Sequence, residues 1–393
     1  MKIVILSNWF SERMGYIENC LSKSLAKTGH EIHVVSSTAQ VYYNLPEYKT
    51  VYEPFIGKNI QEEGVKQLDG YTLHRIPFIS IDNKVCFKKL GKKLREIKPD
   101  VVQVFDAFSF TTFQAAWYKF IFGYKLFTAN HTVASVFPLY QKGRDTLLHK
   151  IAFFLTRTAP GTVVSWCTSM CFPPTIDAQD IAENYYGIPR SKMKMVPLGV
   201  DTDFFCPAAN TDLRKQKREA LGVGDNEILV IYTGRFTDGK DPLCLAKAID
   251  KLVSEGEPFK ALFMGNGPQL EEIKKRKGCI THKFVPYHEL PEWYAIADVG
   301  SWPKQESTSM IDAAACGLPI VISNRVQAVE RVEGNGLTYN EPSSDDLASV
   351  LLQLKDAALR KKLGDFGVAK IQSQFSWDKI AKERIEDYAR FLK

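Results

Sequence analysis

No apolar run in this 393-residue chain approaches the roughly 18 residues of a membrane-spanning helix. There is no short-period repeat, no low-complexity tract and no long basic tail. A net charge of +6 is mild, and without a recognisable binding module it points away from nucleic acid as a partner. Eight cysteines are scattered, and several lie in apolar segments. Only Cys167 and Cys171 sit close together, and their CxxxC lacks a second ligand pair, which argues against a metal site. The expectation is a cytosolic protein with reduced, packed thiols. The apolar N-terminus MKIVILSNWF is too short for a secretory signal and lacks a cleavage site, so it reads as a first β-strand.

What is present is a globular composition, 45% hydrophobic and 24% charged, over a length that suggests two domains. Short apolar runs alternate with helical patterns, as in βαβ units with a parallel sheet. In the first half, KIVILSN, EIHVVSS, TLHRI, VVQVF, KLFTAN, GTVVSWC and KMVPLG read as strands. Helices are expected at about 17–27, 84–97, 109–121, 144–157 and 177–187. VDTDFFCP, from Val200 to Pro207, breaks the pattern, and a polar basic stretch follows. The alternation then restarts with EILVIYTG, KALFMG, ITHKFVPY, DVGSW and PIVIS as strands. The fold class is therefore α/β. It comprises two Rossmann-like doubly wound domains, 1–199 and 200–374, followed by a final amphipathic helix from Trp377 to Leu392. Such a pair implies a central cleft, with ligands at the carboxyl ends of the strands.

The segment 84–97 carries Lys84, Lys88, Lys89, Lys92, Lys93, Arg95 and Lys98 around Phe87, Leu90, Leu94 and Ile97. Two readings stand for this basic amphipathic helix. It packs its stripe on a sheet with solvated lysines outside, or it docks on an anionic membrane surface.

Candidate chemistry gathers where strands end. Gly234 and Arg235 close one strand, with Lys240 in the loop beyond; such cations suit a diphosphate. Gly265-Asn266-Gly267 forms a tight turn after the next strand, which either admits a ligand or simply joins strand to helix. Phe284 to Tyr287, with Val285 and Tyr287 foremost, offers backbone to a flat base. The stretch KQESTSMIDAAACGLPIVISN places Glu306, Ser307, Thr308 and Ser309 before a short helix, with Asp312 within it. Hydroxyls and N–H groups at a helix start make an anion site. In the first half, the loop with Gly15 faces the expected cleft, while His131 and Asp106 end strands. Asp201-Thr202-Asp203 is a DxD in the crossover and reads as structural, not as a metal site.

PLGVDTDFF, TGRFTDGKDP, MGNGP, LPEWYAIADV and the Ala-rich helix ending CGLPIVIS together resemble the retaining glycosyltransferase family 4, of GT-B fold. KTGHEIHVVSS and KPDVVQVFD also match. The resemblance implies a nucleotide-sugar donor (a UDP- or GDP-sugar) as co-substrate in the C-terminal domain, an acceptor in the N-terminal domain, and transfer with retention. It implies no required metal or cofactor. Arg235 and Lys240 would hold the diphosphate, and with the 307–309 amides they would stabilise the leaving group. Asp312 would stand for the second family glutamate, which contacts the ribose, and His131 would position the sugar; the C-terminal helix 375–393 would cross back and complete the first domain. The family's paired glutamates are eight positions apart, and eight before Asp312 stands Lys304; Glu306 is the nearest carboxylate. Many members also have Gly-Gly where this chain has Met14-Gly15. The acceptor is either a soluble or polysaccharide sugar or a lipid-linked one, the latter placing the protein peripherally on the cytoplasmic membrane face. Two rival readings are a sugar-nucleotide epimerase of similar fold and a nucleotide-sugar-binding protein with a degenerate site.

Overall fold

The computed structural model describes every residue except 82–83, 135–136, 141–145, 209–210, 327 and 393, and the backbone alone at 81 and 211. The chain forms two compact units, Met1–Leu198 with Trp377–Lys393, and Gly199–Ser376.

Unit 1 is built on strands β1 (Lys2–Ser7), β2 (Glu31–Ser37), β3 (Gly64–Gln67), β4 (Thr72–Ile76), β5 (Phe78–Ile81), β6 (Lys84–Phe87), β7 (Val101–Val104), β8 (Lys125–Ala129) and β9 (Thr168–Phe172). Its main sheet has the order β3-β4-β2-β1-β7-β8-β9. All neighbours are parallel except the antiparallel pair β3 and β4. Strands covered on both faces must be apolar throughout, and period-2 geometry divides them between two layers. Val4 and Leu6 meet Leu90, Leu94, Ala115 and Val164 on one side. Ile3 and Ile5 meet Leu21, Leu25, Ile380 and Tyr388 on the other. Each such buried side chain is worth roughly 1.5–3 kcal/mol. The last helix, Trp377–Leu392, is held in this unit by Arg384, which donates to Gln103 Oε1 at 2.7 Å, and by the Lys27–Asp378 ion pair at 2.8 Å.

Unit 2 carries β10 (Ile228–Thr233), β11 (Phe259–Met264), β12 (Cys279–His282), β13 (Val299–Trp302), β14 (Ile320–Ser323) and β15 (Gly336–Tyr339). They form one parallel sheet in the order β12-β11-β10-β13-β14-β15. In both sheets the strand order reverses beside the first strand, between β1 and β7 in unit 1 and between β10 and β13 in unit 2. Open α/β sheets bind ligands at the carboxyl ends flanking such a switch point.

Three expectations are corrected. GTVVSWC is helix Ala159–Cys167, not a strand. A short apolar run fits either element, but here Gly161, Val164 and Ser165 are buried while Val163 and Trp166 are exposed, a helical spacing. KMVPLG forms no strand. Lys194 and Val196 donate backbone bonds to Cys171 and Pro173, but Pro197 has no N–H to extend the ladder. The basic helix expected over 84–97 begins only at Leu90; it is Leu90–Ile97. Val85 and Phe87 alternate inward, so Lys84–Phe87 pairs as a hairpin with Phe78–Ile81. The helix expected from 144 begins at Leu147 among the described residues; positions 144 and 145 lie outside them.

Gly265 has φ +149° at the end of β11, and a Cβ there would stand 1.9 Å from the Gly234 carbonyl oxygen. Backbone cannot move aside as a side-chain tip can. Gly265→Ala is expected to destabilise unit 2 by at least about 2 kcal/mol, read by urea unfolding; an unchanged midpoint would contradict this packing.

Candidate functional site

The loops after β10 and β13 flank the switch point of unit 2, and two lysines lace them together. Lys240 Nζ donates to the Glu306 carbonyl oxygen at 2.6 Å. In return, Lys304 Nζ donates to the Asp238 carbonyl oxygen at 3.1 Å. The base of each loop is fixed from below. Tyr232 Oη donates to the Arg235 carbonyl at 2.9 Å, and Trp302 Nε1 donates to the Thr233 carbonyl at 3.0 Å. Arg235 itself is exposed, and so can reach a ligand.

Arg331, which is buried, completes the site from the turn Val329–Arg331. Its Nη1 donates to the Ser307 carbonyl at 3.2 Å. The turn is held by Lys370 Nζ, which donates to the carbonyls of Glu330 at 2.7 Å and Glu333 at 2.9 Å. Burial, reinforced by the Arg235 charge and opposed by Glu306, lowers Lys240 to a pKa of about 8. Burial raises Asp312 to about 8 against the opposing charge of Arg331. Near neutrality the site thus presents cations while its deepest carboxyl is protonated, a field suited to an anionic ligand.

The remaining residues of this edge fall as follows. Helix Ser309–Ala315 starts at the loop's end, and the Ser309 amide already donates to Ser307 Oγ at 3.3 Å. Thr308 is its N-cap residue, but its side chain makes no cap bond. Asp312 is buried on the helix's inner side. Gly234, Gly265 and Gly267 all have positive φ and let neighbouring loops approach. Gly234 N donates to the Met264 carbonyl, and Phe236 N donates to the Asn266 carbonyl. The Asn266 side chain accepts from Gly267 N at 2.8 Å, so this turn is required by backbone packing whatever it binds. Val285 is buried, and the Tyr287 ring stacks on Phe204 with centroids 5.5 Å apart, which anchors that segment to the crossover. In that crossover Asp201 lies in a turn, its carbonyl accepting from the amides of Phe204 and Phe205.

At the switch point of unit 1 lies a cavity of about 380 Å³, lined by Asn8, Trp9, Tyr16, Glu18, Tyr42 and Asp106 among others. Gly15 immediately precedes Tyr16, ahead of helix Ile17–Ala26. Asn8 Nδ2 donates to Asp106 at 3.1 Å and Thr111 donates to Asn8 Oδ1 at 2.5 Å, which aligns the Asn8 amide. Burial raises Glu18 to a pKa of about 7 and raises Asp106 above its ordinary value. Carboxyls beside aromatic rings suit a polyhydroxylated ligand. His131, two residues beyond β8, packs edge-on against Phe105 at 6.0 Å. Its Nε2 is enclosed without a hydrogen-bond partner among the described residues. Burial, with the Arg384 charge, lowers it to about 4, so the ring is neutral.

A glycosyltransferase family 4 model matches residues 20–204, and a glycosyl transferases group 1 model matches 227–356. The chain belongs to glycosyltransferase family 4. An uncharacterized glycosyltransferase of Methanocaldococcus jannaschii is 23% identical over 99% of this chain and 98% of its own. A D-inositol 3-phosphate glycosyltransferase of Jonesia denitrificans is 29% identical over 52% of this chain. A GDP-mannose-dependent phosphatidylinositol monomannoside mannosyltransferase of Mycobacterium tuberculosis is 28% identical over 51%. These two matches span only 53% and 57% of those relatives' lengths. Among solved structures, a sucrose-phosphate synthase of Thermosynechococcus elongatus superposes with a TM-score of 0.71 at 15% identity, covering 100% of this chain and 99% of that one. An Anabaena protein crystallised with UDP superposes at 0.70 and 15% identity, covering 99% of this chain and 100% of its own. The fold is GT-B.

Lys304, eight positions before Asp312, has a physical role: it ties the loop that carries Arg235 and Lys240. Sequence reasoning missed Arg331 and Glu18. Nothing in AVERVEGNG separates a buried arginine from surface charges. Asn8, the residue that ends KIVILSN at the switch point, had a readable signal in its position.

Above pH about 8, Lys240 loses its charge and Asp312 gains one, and both changes subtract positive charge from the site. Nucleoside-diphosphate affinity is therefore expected to fall about tenfold between about pH 7 and about pH 9, with Lys240→Arg flattening the fall. Calorimetric titration checks it; an unchanged affinity would contradict the assignment.

Proposed function

We propose that the chain transfers a sugar from a UDP- or GDP-sugar to an acceptor hydroxyl with retention of anomeric configuration. The observation that carries this reading is the lysine lacing at the unit 2 switch point, which gathers Arg235, Lys240 and Arg331 around the 304–309 loop. Arg235 and Lys240 would take the diphosphate oxygens, and Asp312, protonated near neutrality, would donate to a ribose hydroxyl. As the bond from the anomeric carbon to phosphate breaks, its electron pair leaves with the diphosphate. The cations stabilise that charge. The acceptor oxygen bonds to the same face, and its proton passes to the departing phosphate oxygen. Glu306 balances the cations of unit 2, and in unit 1 neutral His131 would offer a polar ring atom to a sugar hydroxyl.

The unit 1 cavity would hold the acceptor. Its carboxyls and aromatic rings suit a sugar or polyol headgroup. A lipid-linked acceptor is supported by the mannosyltransferase relative, which acts on a phosphatidylinositol monomannoside. Because Lys304 serves as a loop tie, a lysine eight positions before Asp312 does not argue for a degenerate site.

A thermal-shift panel of UDP, GDP, ADP and their sugars tests the donor. At about a hundredfold above Kd, a ligand adds about 2.7 kcal/mol to the native state. One nucleotide family is expected to raise Tm by several degrees, and Arg235→Ala to abolish most of that rise. No stabilisation by any nucleotide would overturn the reading.

A further inference from the structure

We propose that the outer face of one helical layer of unit 1 docks on an anionic lipid bilayer. The layer consists of helices Leu90–Ile97, Phe110–Phe122 and a continuous helix from Leu147 to Cys167 that passes through a π-helical stretch at Phe154–Thr158. All three pack on the same side of the sheet through Leu90, Leu94, Ala115, Ala116 and Val164. Lys119 Nζ bonds to the Cys167 carbonyl, and the Arg95 guanidinium lies 5.8 Å from the Phe122 ring centre, which joins them side by side.

The apolar residues of this layer lie on the wrong side for water. Helix Phe110–Phe122 buries its small residues, Thr111, Thr112, Ala115 and Ala116. It exposes Phe113, Trp117 (62%), Phe120 (78%) and Ile121. The neighbouring helix exposes Leu147, Leu148 (79%), Ile151, Phe154 and Leu155, and further along Trp166 (73%). A surface helix normally turns polar residues outward. Exposed apolar side chains in such number mark an interaction site, and tryptophan is favoured where membrane meets water. None of the described helices is long and apolar enough to cross a membrane, so the face would lie on the bilayer instead of spanning it.

Charge selects the occupant. Among the described residues of 107–176, Lys119, Lys125, Lys150 and Arg157 are basic and none is acidic. Lys92 and Arg95 on helix Leu90–Ile97 are exposed beside it. A second copy of this chain would set one cationic face against another. Anionic headgroups around an apolar interior match both the rim and the centre. The inference extends the reading of a lipid-linked acceptor and centres the membrane contact on an aromatic face with a basic border. Its test reads binding without turnover, so either reading can fail alone.

The test is flotation of the full chain with vesicles of pure phosphatidylcholine and of phosphatidylcholine mixed with phosphatidylglycerol. The wild type is expected to float only with the anionic vesicles and to be released by added salt. Trp117→Glu with Phe120→Glu is expected to weaken binding at least roughly tenfold, with melting behaviour and nucleotide-induced stabilisation unchanged. Trp166→Glu, on the other helix, gives a second reading if the first variant folds poorly. Failure of the wild type to float, or undiminished flotation of well-folded variants, would overturn the proposal. So would a vesicle-free dimer, seen by light scattering, that the same variants dissociate.

Discussion

The candidate site of unit 2 depends on two lysines that cross between loops. Neither loop is held by strand pairing beyond its first residues, and both carry charges that would otherwise be spread by side-chain entropy. Lys240 reaching Glu306 and Lys304 reaching Asp238 convert two loops into one surface. The arrangement has an electrostatic cost, because burial makes Lys240 an easier proton donor than a surface lysine. That cost is useful: a desolvated cation gains more from an arriving phosphate than a hydrated one does. Arg331 strengthens the same field from a third loop, held in turn by the Lys370 tie.

The sheets make this possible by placing loop starts at fixed spacings. Parallel pairing brings the carboxyl ends of β10, β11 and β13 to one edge, and positive-φ glycines let the loops touch at once. The same topology in unit 1 opens a cavity where Asn8 and Asp106 meet beside Tyr16 and Glu18. The two candidate sites therefore arise from one structural rule used twice, with different loops.

Much of this was legible because parallel strands must be apolar on both faces. ILVIYT, ALFM and IVIS admit few other placements among flanking glycines. The legible part ended where a short apolar run could serve two geometries. GTVVSWC is helical because Gly161 fits against Tyr186 and leaves Trp166 outside, which depends on a partner distant in sequence. Lys84–Phe87 was hidden among lysines that suggested a longer helix. In the site, Arg235, Lys240 and the 304–312 segment were readable from position relative to strands. Arg331 was not, because its role comes from burial and from Ser307, neither of which leaves a local pattern. The exposure of Trp117 and Trp166 was equally hidden, since sequence gives apolarity but not its side.

The most direct test of the loop-lacing account is a crystal structure of the chain with a bound nucleoside diphosphate. The account predicts diphosphate oxygens within hydrogen-bond distance of Lys240 Nζ and the Arg235 guanidinium, with Lys304 still on the Asp238 carbonyl. A diphosphate bound elsewhere, or Lys304 swung away to contact it while the two loops separate, would contradict it.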